Sequence, residues 1–240
     1  MLLWCAWRVA QQGVGVSYFV TGTDTGVGKT LVSCALLHAF AAQGRRVVGM
    51  KPVACGCDDE GRHEDVEQLA AAGNVSVSRG QANPYIFAAS IAPHIAALNA
   101  ATRIELEPIL QAYRKLAAQA DVVIVEGVGG YRTPLNERQD GADMAAVLGL
   151  PVILVVGMRL GCLNHALLTA AAIKAGGLEL QGWVANVPDA GMPALHDNVF
   201  ALQQRLDAPL LGVTGFQQQP DARIAAAQLN IGLLNQAGDA

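Results

Sequence analysis

A glycine-rich turn running into Lys29-Thr30, a lysine at position 51 just ahead of a proline, and a carboxylate, Glu126, closing an apolar run are the residues whose types and spacing can do chemistry. The first lies in Tyr18 to Thr30 (YFVTGTDTGVGKT), where a short apolar segment meets Gly28-Lys29-Thr30. Such a turn entering a helix points successive backbone N–H groups at phosphate oxygens, while Lys29 adds charge and the Thr30 hydroxyl can ligate Mg²⁺. Five residues separate Gly22 from Gly28, and Thr23 occupies the usual glycine position, so the loop is a variant with a longer spacer.

Glu126 ends the run Val122 to Glu126 and is followed by Gly127-Val128-Gly129-Gly130, which lets backbone approach a phosphate closely. A carboxylate at a strand's end, on the edge where open α/β sheets bind ligands, is a natural Mg²⁺ ligand. Mg²⁺ prefers oxygen ligands and keeps several waters. Thr30, Glu126 and a third acid suffice, and Asp65 and Asp24 compete for that third place. Lys51 can neutralise charge building on a transferred phosphoryl group, or it can be an ordinary surface lysine. Gly161 to His165 (GCLNH) starts a helix, where an anion such as a carboxylate is attracted, although an ordinary cap has the same spacing. Asn186 offers an amide that donates and accepts, which suits a purine edge as well as a turn.

The elements that must position these residues alternate. Apolar residues around Val20 form a strand before the loop, and Leu31, Val32, Ala35, Leu36 and Ala39 recur at helical spacing after it. Val47 to Pro52 reads as a second strand, which puts Lys51 at its carboxyl end. Residues 54–63 read as a polar loop, Glu64 to Ala72 as a short helix, and Asn83 to Pro93 as a loop or irregular edge. Glu105 to Gln119 is helical, and Asp121 to Glu126 and Leu150 to Val156 are strands of the kind buried in a parallel sheet. A helix over Gly161 to Ala175, a strand over Gly182 to Asn186, a helix from His196 to Leu206, a strand from Pro209 to Val213 and an alanine-rich helix beyond Pro220 complete the pattern. The expectation is a single α/β domain, a mostly parallel sheet flanked by helices on both faces.

Composition agrees: 240 residues, 52% hydrophobic and 15% charged, are enough for one large buried sheet. A net charge of -4 argues against nucleic acid as the main partner and for a small ligand. Five cysteines at irregular spacing do not form a secreted disulfide framework, so the cytoplasm is expected. Cys55-Gly56-Cys57 with His63 lacks the spacing and the second ligand pair of a structural zinc site. The apolar run Leu150 to Met158 is far shorter than the roughly 20 residues that span a bilayer, so no membrane span is expected. Residues 1–16 are expected to be a dispensable, disordered extension, because their only charge, Arg8, follows the apolar stretch and so inverts a secretory signal; the domain is expected over 17–240.

The motifs resemble those of the dethiobiotin synthetase family of P-loop NTPases. YFVTGTDTGVGKT (18–30), KPVACG (51–56), NPYIFA (83–88), APHIA (92–96), VEGVGG (125–130), PVILVVGMRLGCLNHALLTA (151–170), GWVAN (182–186) and APLLG (208–212) occur in family order. The longer loop spacer is itself a family feature. The resemblance implies ATP-dependent carboxylation of 7,8-diaminopelargonate with CO₂, then ring closure to dethiobiotin through a carbamate and a carbamic-phosphoric anhydride. It implies ATP and Mg²⁺ as cofactors, and a homodimer sharing its substrate site across the interface. Lys29 and Lys51 would be catalytic, and Thr30, Asp65 and Glu126 would hold Mg²⁺. Gly26, Val27, Gly28, Lys29, Thr30 and Leu31, with Glu126, Gly127, Val128 and Gly129, would line the phosphates. Asn186 and Val187 would face adenine, and Gly215, Phe216 and Gln217 the nucleoside. Thr25, Cys55 and the helix start Gly161, Cys162, Leu163 and Asn164 would meet the diamine substrate.

The chain departs from some relatives in having Cys55 where they have serine, and Gly215-Phe216-Gln217 where they have a proline-tryptophan pattern. A second class with this architecture, the nucleotide-switch ATPases of partitioning and metal delivery, normally carries an extra lysine early in the loop, where this chain has Thr23 and Asp24.

Overall fold

The computed structural model describes residues 16–235. The expected N-terminal extension thus lies outside the described residues except for Val16, which opens the first strand and pairs with Val122. In chain order the elements are β1 (Val16–Gly22), α1 (Lys29–Ala42), β2 (Val47–Met50), β3 (Val53–Cys55), α2 (Glu64–Ala72), α3 (Arg79–Ala82), β4 (Tyr85–Phe87) and α4 (Pro93–Asn99). They continue with α5 (Leu106–Ala117), β5 (Val122–Glu126), α6 (Gly141–Leu148), β6 (Val152–Gly157), α7 (Cys162–Ala175), β7 (Leu180–Asn186), α8 (Leu195–Gln203), β8 (Leu210–Thr214), α9 (Ala222–Ala226) and a 3₁₀ turn at Ile231–Asn235.

Six strands form one sheet in the order β2-β5-β1-β6-β7-β8, every pairing parallel. The strands are buried on both faces because alternate residues belong to different cores. Phe19, Val123 and Val125 pack with α5 and α6 on one side. Tyr18, Val20, Val122 and Ile124 pack with α1 on the other. Helix α1 is held there by Val32, Leu36, Leu37 and Phe40, all buried, each side chain contributing about 1.5–3 kcal/mol. Helices therefore cover both faces, as the alternating sequence pattern predicts.

Parallel strands bring all their carboxyl ends to one edge. The chain leaves β1 toward β2 on one side and later toward β6 on the other, so β1 lies at the topological switch point where such sheets bind ligands. Register sets the rest. Met50 is the partner of Val125, which places Lys51 beside Glu126, while Gly157 pairs with Asn186 and Asn186 with Thr214.

The structure corrects several element assignments. Residues 83–93 hold β4, which pairs in parallel with β3 in a small second sheet, so the polar loop starts after Cys55. Pro93, expected in a loop, is the first residue of α4, where its missing N–H costs nothing. Helix α6, unanticipated, is fixed by the Asp140 carboxylate accepting from the N–H groups of Ala142 and Asp143. Beyond Pro220 the helix is one short turn, α9, followed by the 3₁₀ turn.

Candidate active site

The phosphate loop is shaped by glycine at one decisive position. Gly28 has φ 88°, and a Cβ there would lie 2.1 Å from Nδ2 of Asn186, so both conformation and space require glycine. The next residue, Lys29, opens α1, and its Nζ donates to the carbonyl of Asp24 at 2.9 Å across the loop. Burial, followed by the nearby Lys51 charge, pushes the Lys29 pKa down from 10.5 to about 8. This is a cation held in a concave backbone turn with no carboxylate in direct ion pairing among the described residues.

A second cluster lies beside it. Lys51 Nζ is paired with Glu126 Oε1 and with Asp65 Oδ2 at 2.8 Å, and it approaches the Gly127 carbonyl at 3.5 Å. Lys51 is 4% exposed and Glu126 fully buried. Burial alone would lower the Lys51 pKa, but the two carboxylates outweigh it and hold the ammonium above its usual value. Asp65 shows the converse: burial would raise its pKa, and the Lys51 charge brings it below the ordinary range. The Thr30 hydroxyl donates to Glu126 Oε1 at 3.0 Å, which joins the two clusters.

Asp65 reaches the site through a local device. It sits in the first turn of α2, whose N-cap is His63; the ring Nδ1 accepts from the Asp65 N–H at 3.2 Å. With Nδ1 an acceptor, Nε2 carries the proton and donates to the Cys55 carbonyl at 3.1 Å. The imidazole thus ties the start of α2 to the end of β3. Of the two acids that compete in sequence, Asp24 is turned away: its carboxylate accepts from the Thr25 N–H and pairs with Arg159.

These groups line a cleft of about 700 Å³. Thr25, Gly26, Gly28, Lys29 and Thr30 form one wall, Lys51, Cys55, His63 and Asp65 another, and Glu126, Val128, Gly129 and Thr133 the floor. Ser90 to Pro93, leading into α4, close the remaining side. Burial raises the Cys55 thiol pKa, so the group faces the cleft as a neutral thiol. The oxygen donors suit a hard divalent cation: Glu126 Oε2 is buried without a hydrogen-bond partner, and the Thr30 hydroxyl is adjacent. Lys51, Asp65 and Glu126 together carry one net negative charge, which attracts such a cation.

Other expected site residues lie outside this cleft. Asn186 is buried behind the loop, its Nδ2 donating to the Val27 carbonyl at 2.8 Å. Val187 follows it, with its N–H on the Thr214 carbonyl. Beyond β8, Phe216 is 48% exposed, and Gln217 accepts from the Asp221 N–H while its Nε2 lacks a partner. At the start of α7 the N-cap Gly161 is left-handed and no side chain caps the helix. The Cys162 thiol is packed in the core and Leu160 is fully exposed. The backbone N–H groups of Leu163 and Asn164 are what this turn can offer a ligand. Sequence reasoning missed His63 as the cap that orients Asp65, although a histidine just before an acidic first turn was a signal; it also missed the Arg159–Asp24 pair, which no local pattern marks.

The family model described as an AAA domain matches residues 16–221. The chain is 58% identical over 219 residues to the ATP-dependent dethiobiotin synthetase BioD of Nitrosospira multiformis, covering 91% of this chain and 96% of that protein. It is 52% identical to the protein of the same name from Ralstonia nicotianae, over 89% of this chain and 94% of that one. In fold it is similar to the septum site-determining protein MinD of Pyrococcus horikoshii, solved with Mg-ADP, at a TM-score of 0.53 and 19% identity over 88% of this chain and 86% of that one. The signal recognition particle receptor FtsY of Elizabethkingia anophelis gives a TM-score of 0.52 at 19% identity, over 91% of this chain and 63% of that one. The likeness to the two solved structures shows the fold alone, whereas the curated relatives match nearly end to end in sequence. This chain belongs to the family of ATP-dependent dethiobiotin synthetases, ligases of biotin synthesis.

Proposed function

We propose that the cleft performs the full dethiobiotin reaction by placing two anions, a carbamate and the γ-phosphate of ATP, between Lys29 and Lys51. The supporting observation is that Lys51, buried between Glu126 and Asp65, opens into the same cleft as the phosphate loop. One amine of 7,8-diaminopelargonate attacks CO₂, forming an N–C bond and releasing a proton. The carbamate oxygen attacks the γ-phosphorus, the bond to the β-phosphate oxygen breaks, and ADP leaves with the electron pair. The neighbouring amine then attacks the carbonyl carbon of the mixed anhydride, expels phosphate and loses a proton, closing the cyclic urea.

Each step needs positioning and charge neutralisation more than covalent help. Lys29, whose charge has no carboxylate of its own, binds the transferred phosphoryl group. Lys51 stabilises the carbamate and the charge that develops as it attacks. Thr30, Asp65 and Glu126 would hold Mg²⁺, which when bound neutralises charge on the β- and γ-phosphates. Asn186 and Val187 face the base, Gly215 to Gln217 the nucleoside, and Thr25 and Cys55 the diamine. The open helix start at Gly161 to Asn164 receives the substrate's distant carboxylate from the second subunit of a homodimer. The setting is cytoplasmic; among the described residues no helix is long and apolar enough to cross a membrane.

The test is ADP release with ATP, Mg²⁺ and bicarbonate, with and without the diamine, and the product identified by mass. Turnover that requires the diamine, yields dethiobiotin and collapses in Lys51→Ala is expected. ATP turnover indifferent to the diamine would overturn the proposal.

A further inference from the structure

Asn186 closes β7, Thr214 closes β8, and the two are register partners. Their side chains form a buried relay to the phosphate loop. The Thr214 hydroxyl donates to Asn186 Oδ1 at 2.6 Å, and Asn186 Nδ2 donates to the Val27 carbonyl at 2.8 Å. Thr214 is fully buried and Asn186 nearly so. Both backbones are also pinned, since the Val187 N–H bonds the Thr214 carbonyl and the Met158 N–H bonds the Asn186 carbonyl.

The orientation of this amide is forced. A carbonyl only accepts, so Val27 requires the nitrogen of Asn186 to face it. The amide oxygen then faces Thr214, whose hydroxyl must act as the donor. Gly28 packs so closely on Nδ2 that the group has no room to swing toward the loop. One N–H and one acceptor lone pair remain on the amide. That pair of functions matches adenine, which offers a donor beside a ring acceptor, and opposes guanine, which presents two acceptors there.

We propose that Thr214 is a positioning residue for base selection: by holding the Asn186 oxygen, it completes with Val27 the two-point clamp that keeps the amide in the one plane favouring adenine over guanine. The inference rests on the reading of Asn186 as the residue that faces the base. Without the Thr214 hydroxyl the buried oxygen loses its donor, and the amide, held by Val27 alone, can tilt out of the plane in which its remaining N–H and lone pair meet adenine.

The experiment compares Thr214→Val, Thr214→Ala, Thr214→Ser and Asn186→Ala with the parent in diamine-dependent turnover, measuring kcat and KM for ATP and for GTP. Thr214→Val, and Thr214→Ala should valine disturb the strand, are expected to raise KM for ATP about tenfold, the scale of one buried hydrogen bond, with kcat within about twofold. The preference for ATP over GTP in kcat/KM should shrink by a similar factor and return in Thr214→Ser. If Asn186→Ala erases the preference but the Thr214 variants keep it, the role of Thr214 is overturned while that of Asn186 stands. A preference untouched in Asn186→Ala, or missing in the parent, overturns both. Loss of kcat in Thr214→Val with the ATP preference intact makes Thr214 a prop for the phosphate loop and overturns its role in selection.

Discussion

Lys29 and Lys51 line the same cleft and are similarly buried, at 7% and 4% exposure, but their charges are handled in opposite ways. Lys29 has a backbone carbonyl and no carboxylate, and its pKa falls to about 8. Lys51 has two carboxylates, and its pKa rises. The first charge has no carboxylate partner among the described residues, whereas the second is neutralised within the protein. Burying a lysine beside a backbone carbonyl thus costs the folded protein, whereas burying one between two carboxylates brings its counter-charges with it.

The sharpest way to break the contrast is to remove each lysine. Lys51→Ala leaves Glu126 buried without its cation and should lower stability by about 3–5 kcal/mol in urea unfolding, together with a loss of roughly a thousandfold in kcat, on the scale of one lost charge stabiliser. Adding Glu126→Gln to Lys51→Ala should recover much of the stability and none of the activity, a non-additivity that a double-mutant cycle reads directly. Equal stability of Lys51→Ala and the parent would show that the pair is solvated after all.

Lys29→Met should do the reverse. ATP affinity is expected to fall about a hundredfold, in the range of a charge-assisted contact, while stability holds or rises. The pH dependence follows from the sign of the shift. Because the folded pKa of about 8 lies below the usual 10.5, the unfolded chain binds more protons at this group between those values, and stability rises with pH across that window. Below about 8 the folded state bears the whole burial cost of the charge. The stability advantage of Lys29→Met should therefore narrow as melting is followed from pH 7 to pH 10. An advantage that widens would contradict the assignment.

Smaller effects sharpen the edges of the site. Arg159→Ala removes an exposed pair with Asp24 and should cost under about 1 kcal/mol, with a modest rise in KM for ATP as the loop loosens. Cys55→Ser replaces a neutral thiol with a better donor and should lower KM for the diamine by about threefold, a fraction of one hydrogen bond. An unchanged KM would place the thiol out of the substrate's reach.

The central sheet was legible because its strands are continuous apolar runs, and a parallel arrangement follows from their alternation with helices. Lys29, Thr30, Lys51 and Glu126 were legible for the same reason, each lying at the end of such a strand or the start of the following helix. What lay hidden was short or non-local. The strands Val53–Cys55 and Tyr85–Phe87 have three residues each, both directly preceded by a proline, and gain their strand character only from each other. Helix Gly141–Leu148 begins with an aspartate at N3 rather than glutamate or glutamine, which hid its capping box. Which of Asp24 and Asp65 faces the cleft could not be read from spacing, because Asp24 is held by Arg159, 135 positions away.

The sheet order has a further consequence for how the molecule is made. Strand β5 is wedged between β1 and β2, and Glu126 lies 75 positions after the lysine it neutralises. A chain emerging from its N-terminus therefore has β1, α1 and β2 available well before the strand that must be inserted between them. Until that insertion, Lys51 has no reason to leave water, and closing so long a loop is a slow event compared with forming α1. The part of the cleft that holds Glu126 is thus completed only when β5 is inserted, and a chain in which β1 and β2 have paired by mistake leaves Lys51 without that partner.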